Sequence, residues 1–334
     1  TAQNLAIYNR DDGSLCLFGS YGSACGRFLS RTLGDWVPVK ETLPVKGDCP
    51  AHFEWNGYHY LFQGFTDAAM STTDAPNSYV DLVATGNDIY DGLSVPMVAP
   101  FAGNRRIMAG WIAHPCGWGG WLALRELVQY PDGMLGSKWV PECTPDATNV
   151  DVSYDKVVDL PESGNAMFIL KNARTDIPTR FRFSRGDADP RGLELCVNPL
   201  PRRVQVADAV KGELALEMPT LYDRRVRPND KEFLARCGNP NGAGSLAICN
   251  VRGLDKPFEI RVIAWYDRKS RCTLFDAEIA GQRTILCRRS GGKYENVRVE
   301  ARNVSSTARP APCSVSSVPT TSGWRLGKAT ASIR

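Results

Sequence analysis

Chemistry in this sequence would start from acidic residues set beside glycine, proline or an aromatic ring. Gly47-Asp48-Cys49-Pro50 holds one carboxylate in a tight stretch; by residue type alone Asp48 is an ordinary turn former there. Asp88 and Asp91 flank Tyr90 in the run Asn87-Asp88-Ile89-Tyr90-Asp91-Gly92. Such carboxylates could accept hydrogen bonds from the hydroxyls of a bound ligand, with Tyr90 or Trp111 lending it an apolar face. The same residues would equally serve a turn closed by Asx side chains. Trp118 and Trp121 lie in the Gly-rich stretch from Cys116, which suits an exposed platform, although core packing suits Trp121 as well. Glu54 sits beside a turn and should face solvent. Asp276 and Glu278 alternate along one strand-like run and read as structural.

Other chemistries find little material. Three histidines, His52, His59 and His114, argue by scarcity against a Ser-His-Asp mechanism. The eleven cysteines contain no Cys-x-x-Cys pair and no adjacent histidine, so a zinc site is not expected. Cys16, Cys196, Cys249 and Cys287 fall in apolar runs, where a thiol acts as a small hydrophobe. That usage predicts reduced thiols and a cytoplasmic protein, with an extracellular one left open because the chain does not begin with Met. A formal charge of +4 with scattered arginines gives no electrostatic case for nucleic acid. No apolar run approaches the roughly 18 residues of a membrane span, and no signal peptide is visible at Thr1.

The elements that must position the candidates are strands. Leu5–Tyr8 and Ser14–Phe18 flank Asp12-Gly13; His52–Trp55 and Tyr58–Phe62 flank Asn56-Gly57, a type I′ hairpin signal. Leu122–Tyr130 and Met134-Leu135 flank Asp132-Gly133. Arg105–Ile112 is apolar on both faces and predicts a strand buried in a packed sheet. Hairpins recurring every 40–50 residues or so suggest propeller blades, about three within residues 1–145. A closed ring needs at least four, so the ring is incomplete. Residues 146–160 are polar and turn-rich, a linker signal. In 161–304, Phe181 and Phe183 alternate with arginines, and Phe258, Ile260, Val262 and Ala264 with Glu259 and Arg261. This period of two predicts a β-sandwich. Residues 305–334 lose the alternation and read as an irregular tail, disordered or out of frame. The class is all-β.

Four segments, in order and spacing, resemble glycoside hydrolase family 32, the fructan and sucrose hydrolases. Gly47-Asp48-Cys49-Pro50 with His52-Phe53-Glu54-Trp55-Asn56-Gly57-Tyr58 is similar to the family's Glu-Cys-Pro-Asp segment and the hairpin after it. Asn87 to Gly92, then Asn104-Arg105-Arg106-Ile107-Met108-Ala109-Gly110-Trp111, resembles its Asp-Phe-Tyr-Ala loop and Arg-Arg-Ile-x-x-Gly-Trp strand. Leu124-Arg125-Glu126-Leu127 with Asp132-Gly133 and Pro141-Glu142 resembles the end of its propeller. Asp276 to Thr284 resembles a stretch of its C-terminal sandwich.

The resemblance implies a five-bladed β-propeller followed by a β-sandwich, and retaining hydrolysis of β-fructosidic bonds by three acidic residues with no metal or organic cofactor. The family's nucleophile lies in an Asn-Asp-Pro segment, its transition-state stabiliser in Arg-Asp-Pro, its acid/base in the Glu of Glu-Cys. The first two segments do not occur where expected and would belong to an upstream piece. Asp48 stands where the family has Glu, and Ala51 where it has Asp. On this reading Asp48 is the acid/base, and Asp88, Tyr90, Asp91, Trp111 and Trp118 contact a fructose-containing oligosaccharide or sucrose. A retaining pair needs carboxyls about 5–5.5 Å apart, and Asp is one methylene short of Glu. Two rivals remain: a carbohydrate-binding protein that has lost catalysis, and a five-bladed glycosidase acting on arabinosides. The sandwich and the Arg-Arg-Ile strand weigh against the latter.

Overall fold

A computed structural model describes residues 3–21, 24–40, 43, 49–63, 67–73, 79–81, 93–114, 117–186, 192–200, 202–208, 246–248, 251–289 and 292–302. Within them the helical elements are two single 3-10 turns, Ala102–Asn104 and Pro141–Cys143, and the rest of the regular structure is strand. The protein is all-β, a propeller portion followed by a sandwich.

Three four-stranded antiparallel sheets come first. Blade one is β1 (Gln3–Asn9), β2 (Leu15–Tyr21), β3 (Ala24–Ser30) and β4 (Val37–Pro38). Blade two is β5 (Pro50–Trp55), β6 (Tyr58–Gln63), β7 (Asp67–Ser71) and β8 (Val80–Asp81). Blade three is β9 (Leu93–Phe101), β10 (Arg105–His114), β11 (Gly117–Gln129) and β12 (Leu135–Lys138). The Asn56-Gly57 turn has φ of 47° and 81°, the paired positive values that type I′ requires. Gly133 has φ 78°, and a Cβ there would lie 2.2 Å from the Tyr58 ring. Only glycine lets this turn of blade three approach blade two so closely.

Side chains of alternate parity interlock the blades. Between blades two and three, Phe53, Tyr60 and Phe62 bury against Met108, Leu127 and Leu135. The Tyr60 hydroxyl donates to Gly133 O (2.7 Å), and Gln129 Nε2 donates to Tyr60 Oη (2.6 Å) and Trp55 O (3.0 Å). Burial pushes that phenol up to about 12. Between blades one and two, Cys16, Phe18 and Leu43 meet Leu61, Ala69 and Tyr79. Here the Tyr8 ring stacks on His52 with centroids 3.7 Å apart, and Arg27 Nε donates to Cys16 Sγ (3.2 Å).

Two expectations need correction. β10 is buried on one face only: Met108 and Gly110 are covered, whereas Ile107 and Ala109 are half-exposed, because blade two packs on a single side of blade three. Residues 146–160, read as a linker, contain β13 (Thr148–Asp151) and β14 (Val157–Asp159). β13 pairs parallel to the sandwich strand that follows, so short polar strands were mistaken for a connection.

The sandwich continues with β15 (Ala166–Ala173), β16 (Thr179–Ser184), β17 (Leu193–Asn198), β18 (Arg203–Asp208), β19 (Leu246–Ile248), β20 (Phe258–Asp267), β21 (Cys272–Ile279), β22 (Gln282–Arg289) and β23 (Asn296–Ala301). One sheet has the order β13-β15-β20-β21-β22 and the other β14-β23-β16-β17-β18-β19. Phe168, Phe181, Phe183, Ile260 and Phe275 fill the space between them.

Asp276 and Glu278 join this sandwich to blade three. The indole Nε1 of Trp139 donates to Asp276 Oδ2 (2.9 Å) and its backbone N–H to Glu278 Oε2 (3.0 Å). Arg283 pairs with Asp276 (2.7 Å) and donates to Leu124 O (2.7 Å). Desolvation outweighs these partners and raises the Asp276 pKa. Asp276→Ala should cost about 3–5 kcal/mol of unfolding free energy, since it strands a buried arginine. Asp276→Asn should cost less. An acid raised in the fold contributes stability below its unfolded value near 4 and loses it as pH rises. The cost of the asparagine should therefore shrink between about pH 4 and pH 7, as urea titrations at both values would measure.

Candidate functional site

β1 contacts β5, and β5 contacts β9, so the first strands of the three blades run beside one another. At their far ends Asn104 Nδ2 donates to Asn56 Oδ1 (2.8 Å) and Asn56 Nδ2 to Gln129 Oε1 (2.8 Å), which ties together the turns leaving β5 and β9. Their leading ends therefore share the opposite side of the sheet stack. In an antiparallel blade the second and third strands join at that same side, so the β10–β11 connection also belongs there.

Of the candidates from the sequence, Trp111 and Trp118 fall within the described residues. Asp48 lies outside the described residues; Pro50, two positions on, is the first residue of β5. Asp88, Tyr90 and Asp91 also lie outside them, and β9 begins at Leu93. Trp111 pairs with Ser94 and Leu122 towards the trailing end of β10, beside the leading end of β9. Trp118 falls where the register slips: Ala113 pairs with Gly120 and His114 with Gly117, which leaves Trp118 and Gly119 as extra residues in a bulge.

A second irregularity lies across the same sheet. Ala109 pairs with Met97 and Trp111 with Ser94, so Val95 and Pro96 bulge opposite Gly110. Val95 has φ 48°, and Cys49, just ahead of β5, has φ 54°. A β-branched residue at positive φ is an outlier, and a residue before proline is ordinarily driven to extended geometry. Two X-Pro steps, Cys49-Pro50 and Val95-Pro96, thus bend the backbone where two neighbouring first strands begin. Residues held in such regions concentrate at functional sites. The pattern escaped the sequence reading, because a residue before proline is expected to be extended.

Both arginines of the Arg105-Arg106 pair have structural partners. Arg105 donates to Glu142 (2.6 Å) and Glu126 (2.6 Å) and holds the Glu142 carboxyl at about 2. Arg106 donates to Glu54 O (3.0 Å) and lies over the Trp55 ring. Ala51, which replaces an acid of the family motif, is buried in the blade two core. Glu54 is exposed as expected and accompanies His59 at 3.6 Å.

No family model matches the chain, and neither does any curated protein. Solved structures do. The Bombyx mori family 32 β-fructofuranosidase BmSUC1 matches with a TM-score of 0.53 and 13% identity, over 90% of this chain and 65% of that one. The exo-inulinase of Aspergillus awamori matches with a TM-score of 0.50 and 9% identity, over 90% and 64%. The chain spans just under two thirds of the length of these enzymes and shares their fold.

Glycine adopts the left-handed region without steric cost. Val95→Gly should therefore raise unfolding free energy by about 1 kcal/mol. Guanidinium titration of both proteins would check this, and a loss of stability would mean that the bulge is not strained.

Proposed function

We propose that this protein is a glycosidase acting on β-fructosidic bonds in sucrose, fructo-oligosaccharides or fructans, by a retaining two-carboxylate mechanism. The observation that supports this reading is the side-by-side run of the first strands β1, β5 and β9, two of which begin within a few residues of Asp48 and Asp91 in the sequence. The shared fold with a β-fructofuranosidase and an exo-inulinase supports it.

Asp48 is the acid/base in this reading. It protonates the leaving glycosidic oxygen as the bond breaks, then takes a proton from the water that releases the fructosyl group. Such an acid must keep its proton near neutral pH, which a partly desolvated position beside another carboxylate provides. The nucleophile and the stabiliser come from blades upstream of β1, and residues 1–334 alone are inactive. Asp88, Tyr90, Asp91, Trp111 and Trp118 bind the sugar.

One observation favours a binding protein without catalysis: Ala51 lies in the blade two core and offers no carboxylate. Sucrose and inulin hydrolysis by the protein from its source separates the readings. For the enzyme, Asp48→Asn should lower kcat by about 10²–10⁴-fold and erase the alkaline limb of the pH profile. Asp48→Glu should retain activity. Tight sugar binding with no turnover in the unsubstituted protein would replace the hydrolase with the binding reading.

A further inference from the structure

The alternation that buries Phe181, Phe183, Val297 and Val299 inside the sandwich turns the other parity of β16 and β23 outward. Arg180, Arg182, Arg298 and Glu300 lie on that outer face, with Glu194 of β17 beside them and Arg302 just past β23. Glu194 takes both arginines of β16: Arg180 pairs with one carboxyl oxygen, and Arg182 Nε donates to the other (2.8 Å). Glu300 stands among three guanidiniums, those of Arg298 (2.9 Å), Arg302 (3.4 Å) and Arg182 (3.6 Å). The carboxylates lie at the bottom of this arrangement. The side chains of Glu194 and Glu300 are 10% and 2% exposed, against 39%, 45% and 57% for Arg182, Arg298 and Arg302. What this face shows to water is guanidinium.

Two features set it apart from a surface of balanced ion pairs. Arg182 and Arg298 are direct cross-strand partners, a like-charge juxtaposition that weakens a sheet. Donors also exceed acceptors, because each guanidinium carries about five N–H groups and both glutamates are already engaged. On the outward positions of β14, β16, β17 and β23 the one other acid is Asp159, exposed beside Asn296 at the sheet's edge. The buried glutamates hold the arginine forks in place, so an incoming anion would meet donors that are already ordered.

We infer that the outer face of this sheet binds an acidic polysaccharide, whose carboxylates are received by Arg182, Arg298 and Arg302. Arginine's planar fork suits carboxylates, the acceptors this face already uses in Glu194 and Glu300. Strand geometry spaces Arg298 and Arg302 about 14 Å apart along the chain, which fits an extended polymer with one acid per sugar unit. Nucleic acid is a poorer match: a duplex carries a charge about every 1.7 Å, against a formal charge of only +4 on this chain. The surface belongs to the sandwich and does not depend on the glycosidase reading; it would hold the protein on an acidic matrix.

The test is surface plasmon resonance of the protein from its source over immobilised polygalacturonate, with neutral dextran as reference. Binding should be evident at about 50 mM NaCl and weaken steeply as salt rises. Arg302→Gln should lower affinity about tenfold and reduce the slope of log affinity against log salt by about one. The double variant Arg298→Lys/Arg302→Lys keeps Glu300 paired, and with it the fold and the charge. It should still lose about threefold, because the forks are gone. No binding to polygalacturonate at low salt would overturn the inference, and so would full affinity in Arg302→Gln. Tighter binding to duplex DNA or to phosphatidylserine vesicles at equal salt would overturn it by replacing the occupant. Sucrose hydrolysis should be the same in the variants and the unsubstituted protein, so failure of either reading leaves the other standing.

Discussion

A four-stranded antiparallel sheet that is apolar on both sides cannot stand in water alone, and this constraint shapes the first half of the molecule. Each buried aromatic contributes on the order of 2–3 kcal/mol when it leaves water. Blade two shows what satisfaction looks like: Phe53, Tyr60 and Phe62 point one way into blade three, while Leu61 and Ala69 point the other way into blade one. Stacking of this kind is directional. It sets the blades side by side about an axis and so brings the first strands β1, β5 and β9 into contact. The position of the candidate site is thus a consequence of burial, prior to any catalytic requirement.

The two seams differ in chemistry. The seam between blades two and three is apolar within and closed at its far end by polar bonds through Asn56, Asn104 and Gln129. The seam between blades one and two contains Tyr8, Cys16, Arg27 and His52 among its hydrophobes. Blade three is fastened on a further side, where Trp139 reaches the buried carboxylates of the sandwich and the sandwich's Arg283 donates to Leu124 O. It is the most constrained of the three blades, and it carries two bulges. A bulged strand holds its shape only when its neighbours over-determine it, and here the sandwich junction supplies the extra constraint.

Much of this architecture was legible in the residues. Asn56-Gly57 and Asp132-Gly133 announced their hairpins because positive φ has few residue types to serve it. Phe181 and Phe183 announced the sandwich because a period of two has one structural meaning. What stayed hidden depended on contacts distant in sequence. β13 and β14 are too short and polar to show periodicity, and they are strands only because β15 and β23 offer them backbone partners. Arg105 and Arg106 looked alike to a motif and proved to have separate structural partners. For the candidate site, the sequence named residues and the fold placed their strands on one side. The two strained X-Pro steps were not anticipated, since φ is not written in composition.

The shorter acid at position 48 can be weighed against this backbone. Replacing Glu by Asp withdraws a carboxyl by about 1 Å, and a displacement of that size can cost a hundredfold in rate. A side chain cannot recover the distance, because Asp has a single rotatable bond before its carboxyl. Recovery has to come from the main chain, at the step that delivers residue 48 to β5. That step is Cys49-Pro50, where φ is 54° in place of the extended value that a residue before proline normally adopts. Proline holds the following φ near −65°, so the departure is confined to Cys49 and changes the direction from which the chain arrives. In the proposed reading, the strained Cys49 is thus the main-chain step through which a shorter acid would be repositioned.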